Sequence, residues 1–467
     1  MGIQVEFFGA TGEVTGSCHL VTVGDHKILL DCGLIQGRQQ DEARNKEDFP
    51  FDPAAIDAVV LSHAHIDHSG RLPLLVKAGF EGTIYTHRAS RDLCKIMLKD
   101  SAFLYQKDVE WENRKRARKG LKMVDPVYTI EDAARAMTHF KGLVYQKPTK
   151  ILPNVKLQLN DAGHILGSSI VELWLQDSGQ QRKLVFSGDL GRSGMPILED
   201  PASIDEADLV IMESTYGDRL HRSWDETHNE ITEVLSTTTS ASGNILIPAF
   251  AVGRTQELLY LFAKYYKDWN LDRWQIFLDS PLAIEATRIF MQHSDLFDDE
   301  MLALWKKNKQ QSILPNLNIS RTTNQSMALN RIHSGAIIIA GSGMCSGGRI
   351  KQHFKHNIWR GDCHVIISGF QARGTLGRAL VDGAKRIKLW GETVNVEAGI
   401  HTIGGLSAHA DQSALISWYK NFNNSPPLVL VHGEDQAQEA LADKIKSETT
   451  AEVSIAKRGQ KLDMLKL

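Results

Sequence analysis

The sequence AVVLSHAHIDHSG, at residues 58–70, places three histidines and an aspartate directly after a short apolar run. The apolar residues predict a buried strand, so the polar cluster lies at the carboxyl end of that strand. His63 and His65 are two residues apart and can point to one side of extended backbone. Asp67 and His68 come after the turn, where their side chains can face a second metal position. The spacing therefore favours two adjacent metal ions, and the alternative is a solvated polar loop.

Three further polar residues follow apolar, strand-like runs elsewhere in the chain. His164 lies in DAGHILGS, Asp189 in VFSGD and His432 in LVHGE. Taken singly, each is as consistent with a turn residue or a satisfied core side chain as with a ligand. Their shared context predicts a common site at one edge of a sheet. Asp189 suits a bridging role, because two carboxylate oxygens can reach two cations about 3.5–4 Å apart.

Composition and charge limit the other function classes. The 467 residues are 42% hydrophobic and 23% charged, which is typical of a globular protein of two or three domains. The net charge of −3 excludes a polycation that binds nucleic acid through bulk charge. No apolar run approaches the ~20 residues of a membrane span, and no signal peptide is visible. Five scattered cysteines without a CxxC pair favour a cytoplasmic protein and indicate neither a disulfide framework nor a thiolate zinc site.

The apolar pattern changes character along the chain. Short β-rich runs dominate the N-terminal part, which also contains a polar stretch at 89–142 that we expect to be helical. From about residue 216 strands alternate with longer helices, which is typical of a parallel α/β unit. Strands and helices continue through the last ~70 residues, with no repeat or low-complexity linker to mark a boundary.

The cluster HAHIDHSG resembles the HxHxDH signature of the metallo-β-lactamase superfamily. Three later segments resemble motifs of its β-CASP branch, namely ESTYG at 213–217, SAHAD at 407–411 and VHGE at 431–434. The segment GSGMCSGGR at 341–349 is similar to one in bacterial and archaeal relatives of the cleavage and polyadenylation endonuclease subunit. The resemblance covers nearly the whole chain, and its motifs occur in the family's order.

This resemblance implies an α/β fold, with an αββα metallo-β-lactamase sandwich formed by residues 1–215 and 395–467. An α/β β-CASP domain would be inserted at 216–394. The implied function is a zinc-dependent ribonuclease, mainly endonucleolytic with 5′–3′ exonuclease activity in addition. His432 favours RNA, because the DNA-repair branch has Val at that point of the motif. Two alternatives remain open: a DNA nuclease of the same fold, and a catalytically weak RNA-binding component of a processing complex.

The resemblance also implies a role for each residue of the cluster. It predicts two Zn²⁺ ions, with Mn²⁺ as a substitute, and no nucleotide cofactor. One ion would be bound by His63, His65 and His164 and the other by Asp67, His68 and His432, with Asp189 as the bridge.

Three further residues receive catalytic roles from the resemblance. Asp31 would orient the cluster, as carboxylates often do for metal-bound histidines. His409 would be the general acid that protonates the leaving group, and Glu213 would hold it. A helix predicted from Gln412 gives His409 a second interpretation, as a polar residue at a helix N-terminus, and the two interpretations are compatible.

An RNA substrate requires local positive charge. Residues 114–122 contain six basic residues in nine, which indicates either an RNA guide or a solvated helix face. Glycine-containing turns around GRT and GTLGR could present backbone N–H groups to phosphates. The candidate substrate-binding residues are Ser407, Arg254, Arg373 and Arg378. The oligomeric state, monomer or homodimer, is left open by the sequence.

Overall fold

The computed structural model describes residues 2–37, 39–238, 242–307, 314–369, 371–372 and 374–467. These residues form two compact units. Unit 1 consists of Met1–Gly194, Asp200–Leu220 and His409–Leu467, and unit 2 consists of Met195–Glu199 and His221–Ala408.

The N-terminal part of unit 1 contains the first strands and helices. Its strands are β1 (Ile3–Phe7), β2 (His19–Val23), β3 (His26–Leu30), β4 (Ala58–Val60), β5 (Thr83–His87), β6 (Phe140–Leu143), β7 (Thr149–Leu152), β8 (Val155–Asp161), β9 (Ser169–Asp177), β10 (Gln180–Phe186) and β11 (Leu209–Met212). Its helices are α1 (Gln39–Glu42), α2 (Ile66–Ser69), α3 (Leu72–Lys77), α4 (Arg88–Arg118) and α5 (Ile130–Met137).

Unit 2 alternates strands with helices. Its strands are β12 (Ile245–Pro248), β13 (Gln275–Leu278), β14 (Leu317–Ile319), β15 (Ala336–Ala340), β16 (His364–Ile367), β17 (Arg386–Leu389), β18 (Glu392–Asn395) and β19 (Gly399–Thr402). Its helices are α6 (Trp224–Thr237), α7 (Arg254–Lys264), α8 (Pro281–Gln292), α9 (Asp299–Lys307), α10 (Thr323–Leu329), α11 (Ile350–Asn357) and α12 (Leu376–Val381).

The chain then returns to unit 1. This last part contains α13 (Gln412–Tyr419), β20 (Leu428–Leu430), α14 (Asp435–Glu448), β21 (Val453–Ile455) and β22 (Lys461–Asp463). Among the described residues, no helix combines the length and apolar character that crossing a membrane requires.

Unit 1 is built on two seven-stranded sheets, in the orders β22-β1-β2-β3-β4-β5-β6 and β21-β20-β11-β10-β9-β8-β7. A buried apolar cluster contains side chains from both sheets, including Phe7 and Phe186, so the sheets pack face to face. A second cluster joins the other face of the second sheet to α13 and α14 through residues such as Trp418 and Leu441. This is the layered sandwich that the sequence predicts.

The central strands of unit 1 are buried on both faces. All four residues of β11, LVIM, are buried, as are all three of β4, and such continuous apolar runs suit strands covered on both sides. The strands β3, β4 and β5 pair in parallel in one sheet, and β10, β11 and β20 do so in the other. Their carboxyl ends therefore collect at one edge of each sheet, where loop residues can converge.

Unit 2 has a six-stranded parallel sheet in the order β14-β13-β15-β12-β16-β19, with β17 and β18 as a separate hairpin. Its central strand β15 reads AIIIA and is wholly buried. The sequence places the inserted domain at 216–394, whereas compact unit 2 runs on to Ala408. The difference arises because β19 pairs with β16 and completes this sheet.

The stretch 89–142 is only partly helical, which corrects the expectation of a continuous helical region. Helix α4 ends at Arg118, and Gly120 follows with φ +64°, a conformation that suits glycine after a helix. A capping box of Thr129 and Asp132 then begins α5. The end of the stretch is the strand β6, which pairs in parallel with β5.

Candidate metal centre

The predicted metal-binding residues lie just past the carboxyl ends of strands in unit 1. His63 and His65 follow β4, Asp189 follows β10 and His432 follows β20, while His164 lies in the loop between β8 and β9. These strands belong to both sheets of the sandwich, so the loops reach the same place from two sides. The structure brings all seven predicted ligands together in two groups, and a third group that overlaps them joins Asp189 and His432 to Glu213.

The first group contains His63, His65, His164 and Asp189. His65 Nδ1 lies 3.1 Å from His63 Nε2 and 3.2 Å from His164 Nε2. The Oδ2 atom of Asp189 lies 3.5 Å from His63 Nε2 and 3.6 Å from His164 Nε2. Ligand atoms in a tetrahedral zinc site with bonds of about 2.05 Å are separated by about 3.3 Å. The four atoms therefore have the spacing of one coordination sphere.

The second group contains Asp67, His68 and His432. His432 Nε2 lies 3.2 Å from His68 Nε2 and 3.6 Å from Asp67 Oδ2. Asp189 contributes here too, since its Oδ2 lies 3.3 Å from His68 Nε2 and its Oδ1 lies 3.5 Å from His432 Nδ1. Asp189 Oδ1 is buried and receives no hydrogen bond from the described residues. A carboxylate beside both groups, with an unsatisfied oxygen, has the arrangement that a bridging ligand requires.

The protonation states of His63, His65 and Asp189 suit metal binding. Burial opposes protonation of His68, but the carboxylates of Asp189 and Asp31 outweigh it and raise the pKa of that ring well above its ordinary value. Burial lowers the pKa of His63 well below its ordinary value and lowers the pKa of His65 to about 4. Both rings are therefore neutral at physiological pH and keep a lone pair for a cation. Burial opposes ionisation of Asp189, but the surrounding histidines, led by His432 and His68, hold its pKa well below the usual range. Neutral imidazoles with ionised carboxylates are ligands of zinc and of other divalent first-row metals.

Asp31 lies behind the cluster and fixes its orientation. The carboxylate is fully buried, and its Oδ2 lies 2.7 Å from His68 Nδ1, which turns Nε2 of that ring toward the metal-binding groups. Oδ1 accepts the backbone N–H of Ser62, and Oδ2 accepts the hydroxyls of Ser62 and Ser17. The sequence analysis did not identify the two serines, although Ser62 immediately precedes the first histidine of the cluster.

Thr215 orients His432 in a similar way. Its hydroxyl lies 3.1 Å from His432 Nδ1 and donates to or accepts from that atom, so Nε2 faces His68 and Asp67. Thr215 lies in the ESTYG segment, but only Glu213 of that segment received a role from the sequence.

His409 and Glu213 form a pair next to the cluster. His409 Nδ1 lies 3.1 Å and 3.2 Å from the two carboxylate oxygens of Glu213. The backbone N–H of Leu190 donates to Glu213 at 2.7 Å, so the fully buried carboxylate is held from a second direction. Burial opposes protonation of His409, but the carboxylates of Glu213 and Asp189 outweigh it and raise its pKa to about 9. The ring is thus protonated at neutral pH, as a general acid must be.

Helix capping does not account for His409. The N-cap of α13 is Asp411, whose carboxylate accepts the backbone N–H of Ala414 at 2.9 Å. His409 instead faces the cluster, with its Nδ1 3.9 Å from Asp189 Oδ2 and 21% of its side chain exposed. It is absent from both metal-binding groups.

The described substrate-binding candidates, Ser407, Arg254 and Arg378, belong to unit 2. Arg254 is buried, and its guanidinium donates to Glu257 within α7. Arg378 donates to Asp382 at 2.9 Å, and Ser407 is buried. Arg373 lies outside the described residues. A phosphate at Arg254 or Arg378 would therefore compete with a carboxylate already in place.

Three protein families match successive parts of the chain. Residues 11–148 match the metallo-beta-lactamase superfamily, residues 255–380 match the Beta-Casp domain, and residues 393–456 match the Zn-dependent metallo-hydrolase RNA specificity domain. The last match contains His409 and His432. The predicted α/β fold with a metallo-β-lactamase part and a β-CASP part is thereby confirmed.

Individual relatives extend over almost the whole chain. Ribonuclease TTHA0252 of Thermus thermophilus is 39% identical over 454 residues, which are 97% of this chain and 98% of that protein. Transcription termination factor FttA of Methanocaldococcus jannaschii is 30% identical over 95% of this chain and 69% of its own length. A crystal structure of a protein of unknown function from Enterococcus faecalis V583 has the same fold, with a TM-score of 0.54 and 14% identity over 99% of this chain and all of that one. The chain therefore belongs to the RNA-metabolising members of the β-CASP branch of the metallo-β-lactamase superfamily and is a metal-dependent hydrolase.

Proposed function

We propose that this chain is a ribonuclease that uses two zinc ions to hydrolyse RNA, principally as an endonuclease in RNA processing or degradation. One observation carries the proposal: His409, held by Glu213, lies beside a carboxylate that two groups of candidate metal-binding side chains share. RNA as the substrate is supported by the name of the Thermus relative and by the RNA specificity domain matched at 393–456. An RNA substrate and five free cysteines suit the cytoplasm.

In this proposal different side chains support different parts of the reaction, in which water attacks the phosphodiester and the 3′ oxygen leaves. Two zinc ions, or Mn²⁺ in their place, would lower the pKa of a water molecule and neutralise charge on the phosphoryl oxygens. Asp189 and the six other ligands hold the cations, while Asp31 and Thr215 fix the rings of His68 and His432. His409 donates its Nδ1 hydrogen to Glu213 and gives its Nε2 proton to the leaving 3′ oxygen.

The activity can be tested with RNA labelled at one end and then at the other. We expect the purified protein to produce labelled fragments of intermediate length from both forms of the RNA, because an endonuclease does not require a free terminus. Chelation of the metal should abolish the products, and added Zn²⁺ or Mn²⁺ should restore them. The His409→Ala variant, purified in the same way, is the control for a contaminating nuclease.

The alternatives give different results in the same assay. Faster cleavage of a DNA strand of the same sequence would favour a DNA nuclease. Stable RNA binding without turnover under any metal condition would contradict the proposal and favour a binding component of a processing complex.

The role proposed for Asp31 leads to a separate prediction. Asp31→Asn should lower zinc affinity about 10- to 100-fold, the usual effect of removing a partner of a metal-bound histidine. Asparagine tolerates the left-handed backbone of this residue, which has φ +58°, so the effect should come from the lost charge and not from strain. Zinc affinity can be measured by competition with a chromogenic chelator. An unchanged affinity in a folded variant would show that His68 does not depend on Asp31.

A further inference from the structure

Helix α4 exposes cations and aromatic rings in one continuous series. Residues four apart are neighbours on a helix surface, and six exposed side chains of α4 follow this spacing. They are Lys95, Lys99, Phe103, Lys107, Trp111 and Lys115. Arg114 and Arg118 are exposed beside them. We call these eight residues the α4 stripe; at 1.5 Å per residue it is about 35 Å long.

The two rings of the α4 stripe are exposed and each lies near a cation. Trp111 is 61% exposed and Phe103 is 46% exposed. Lys115 Nζ lies 3.0 Å from the centroid of the Trp111 ring, and Lys107 Nζ lies 5.8 Å from that of Phe103. A cation over one face leaves the other face of the ring available for stacking. Much of each ring is thus left in contact with water, and exposed aromatic surface of this kind favours a binding role.

The charge of the α4 stripe contrasts with that of the whole chain. Six of its eight residues are cationic, although the chain has a net charge of −3. Glu110 lies among them but is ion-paired with Lys107 at 2.8 Å. Arg116 does not belong to the stripe, because its Nε donates to the carbonyl of Lys122 and braces the chain after the helix. Asp108 and Glu112 line a groove beside the helix, and Trp111 lies at the border between this groove and the stripe.

We propose that the α4 stripe is a binding site for single-stranded RNA, with phosphates against its cations and bases stacked on Phe103 and Trp111. Proteins that bind single-stranded nucleic acids without sequence preference combine cations along the phosphate backbone with aromatic side chains on which the bases stack. A polyanion complements the six cations, whereas a protein partner would have to be strongly acidic. The choice of RNA rests on the proposed function, since stacking alone does not distinguish RNA from DNA.

The cations can be tested through the salt dependence of binding. Anisotropy of a labelled single-stranded RNA would be measured in the His409→Ala background, in which the RNA stays intact. Lys99→Ala/Arg114→Ala/Arg118→Ala should reduce the slope of log affinity against log salt by about 2, at about 0.7 per phosphate contact. The control, Lys147→Ala/Lys150→Ala/Lys457→Ala, removes the same charge from exposed sites elsewhere in unit 1 and should leave the slope unchanged.

The rings are tested separately, because stacking contributes affinity but no counterion release. Trp111→Ala and Phe103→Ala should each weaken RNA binding about 5- to 100-fold with the same salt slope. Trp111→Phe should retain most of the affinity. Trp359→Ala is the matched control, since Trp359 is 54% exposed but lies outside the stripe. Equal melting temperatures would show that all variants are folded.

The outcomes separate this inference from the proposed function. The stripe variants should raise the KM for a long RNA. They should leave the hydrolysis of bis(p-nitrophenyl) phosphate unchanged, because this diester is too small to contact the stripe while it is bound at the metal site. If the stripe variants had the same RNA affinity and the same salt slope as the control variant, the inference would be overturned. Intact RNA cleavage by the parent chain would then leave the proposed function standing. The same result accompanied by lost binding to anionic vesicles would assign the stripe to a membrane surface. If the parent chain cleaved nothing but the stripe variants still lost RNA affinity, the proposed function would fail and the stripe would stand.

Discussion

RNA cleavage is expected to slow about 10²–10⁴-fold when His409 is replaced by Ala, the usual contribution of a positioned proton donor. The variant should keep its metals, its fold and its RNA affinity. The reason lies in the geometry: His409 contacts Glu213 and lies outside both groups of metal-binding side chains. Single-turnover rates and elemental analysis of the same preparation would measure both properties.

A substrate with a better leaving group distinguishes a proton donor from a ligand. A 3′-phosphorothiolate link places sulfur at the leaving position, and sulfur departs without a proton. The rate loss in His409→Ala should therefore shrink on this substrate. His432→Ala is the comparison, since it should lose metal and should not be rescued. Loss of a metal from His409→Ala, or no rescue, would place His409 among the ligands instead.

Zinc content should fall from two ions to one or none in Asp189→Asn. Asp189 Oδ2 lies within 3.6 Å of nitrogens from His63, His68 and His164, so this carboxylate contacts both groups. Asparagine offers one neutral oxygen in place of two charged ones. Cleavage should fall by more than the roughly 10- to 100-fold that losing an outer partner of a metal ligand causes.

Glu213→Gln is the matched control for Asp189→Asn. It removes one buried carboxylate charge from the same site, but the carboxylate it removes holds His409 and Leu190. This variant should keep both zinc ions and lose rate. Two zinc ions in Asp189→Asn, or no zinc in the parent chain after loading with metal, would refute the bridge.

The sequence singles out the candidate ligands because most of them follow an apolar strand. Strands buried in a sandwich must be apolar, and polar residues directly after them stand out. The sequence does not show which strand ends lie next to one another in the folded chain. His68 and His432 are 364 residues apart, yet their Nε2 atoms are separated by 3.2 Å. The roles of Thr215 and Ser17 could not be predicted for the same reason. A hydroxyl in a loop has no sequence pattern of its own, and its role follows only from the side chain that it contacts.

Helix ends and local ion pairs were harder to predict. Polar composition at 89–142 suggested helix throughout, but composition does not reveal that β6 pairs with β5. Arg254 follows a strand and a glycine, which suggested a phosphate site, but Glu257 lies one helical turn on and pairs with it. In both cases the structure depends on a pairing, of β6 with β5 and of Arg254 with Glu257, and hydrophobic periodicity does not reveal such pairings.

The insertion of unit 2 between parts of unit 1 determines when the site can form during synthesis. Asp189 and Glu213 are made before unit 2, whereas His409 and His432 are made after it. At roughly 5–20 residues per second, the 243 residues between Asp189 and His432 delay completion by about 10–50 s. For most of that interval the nascent chain, attached to a ribosome and close to messenger RNA, lacks both His409, the proposed proton donor, and the last side chain of the second group. The order of the chain thus keeps the proposed RNA-cutting site incomplete until unit 2 has been synthesised.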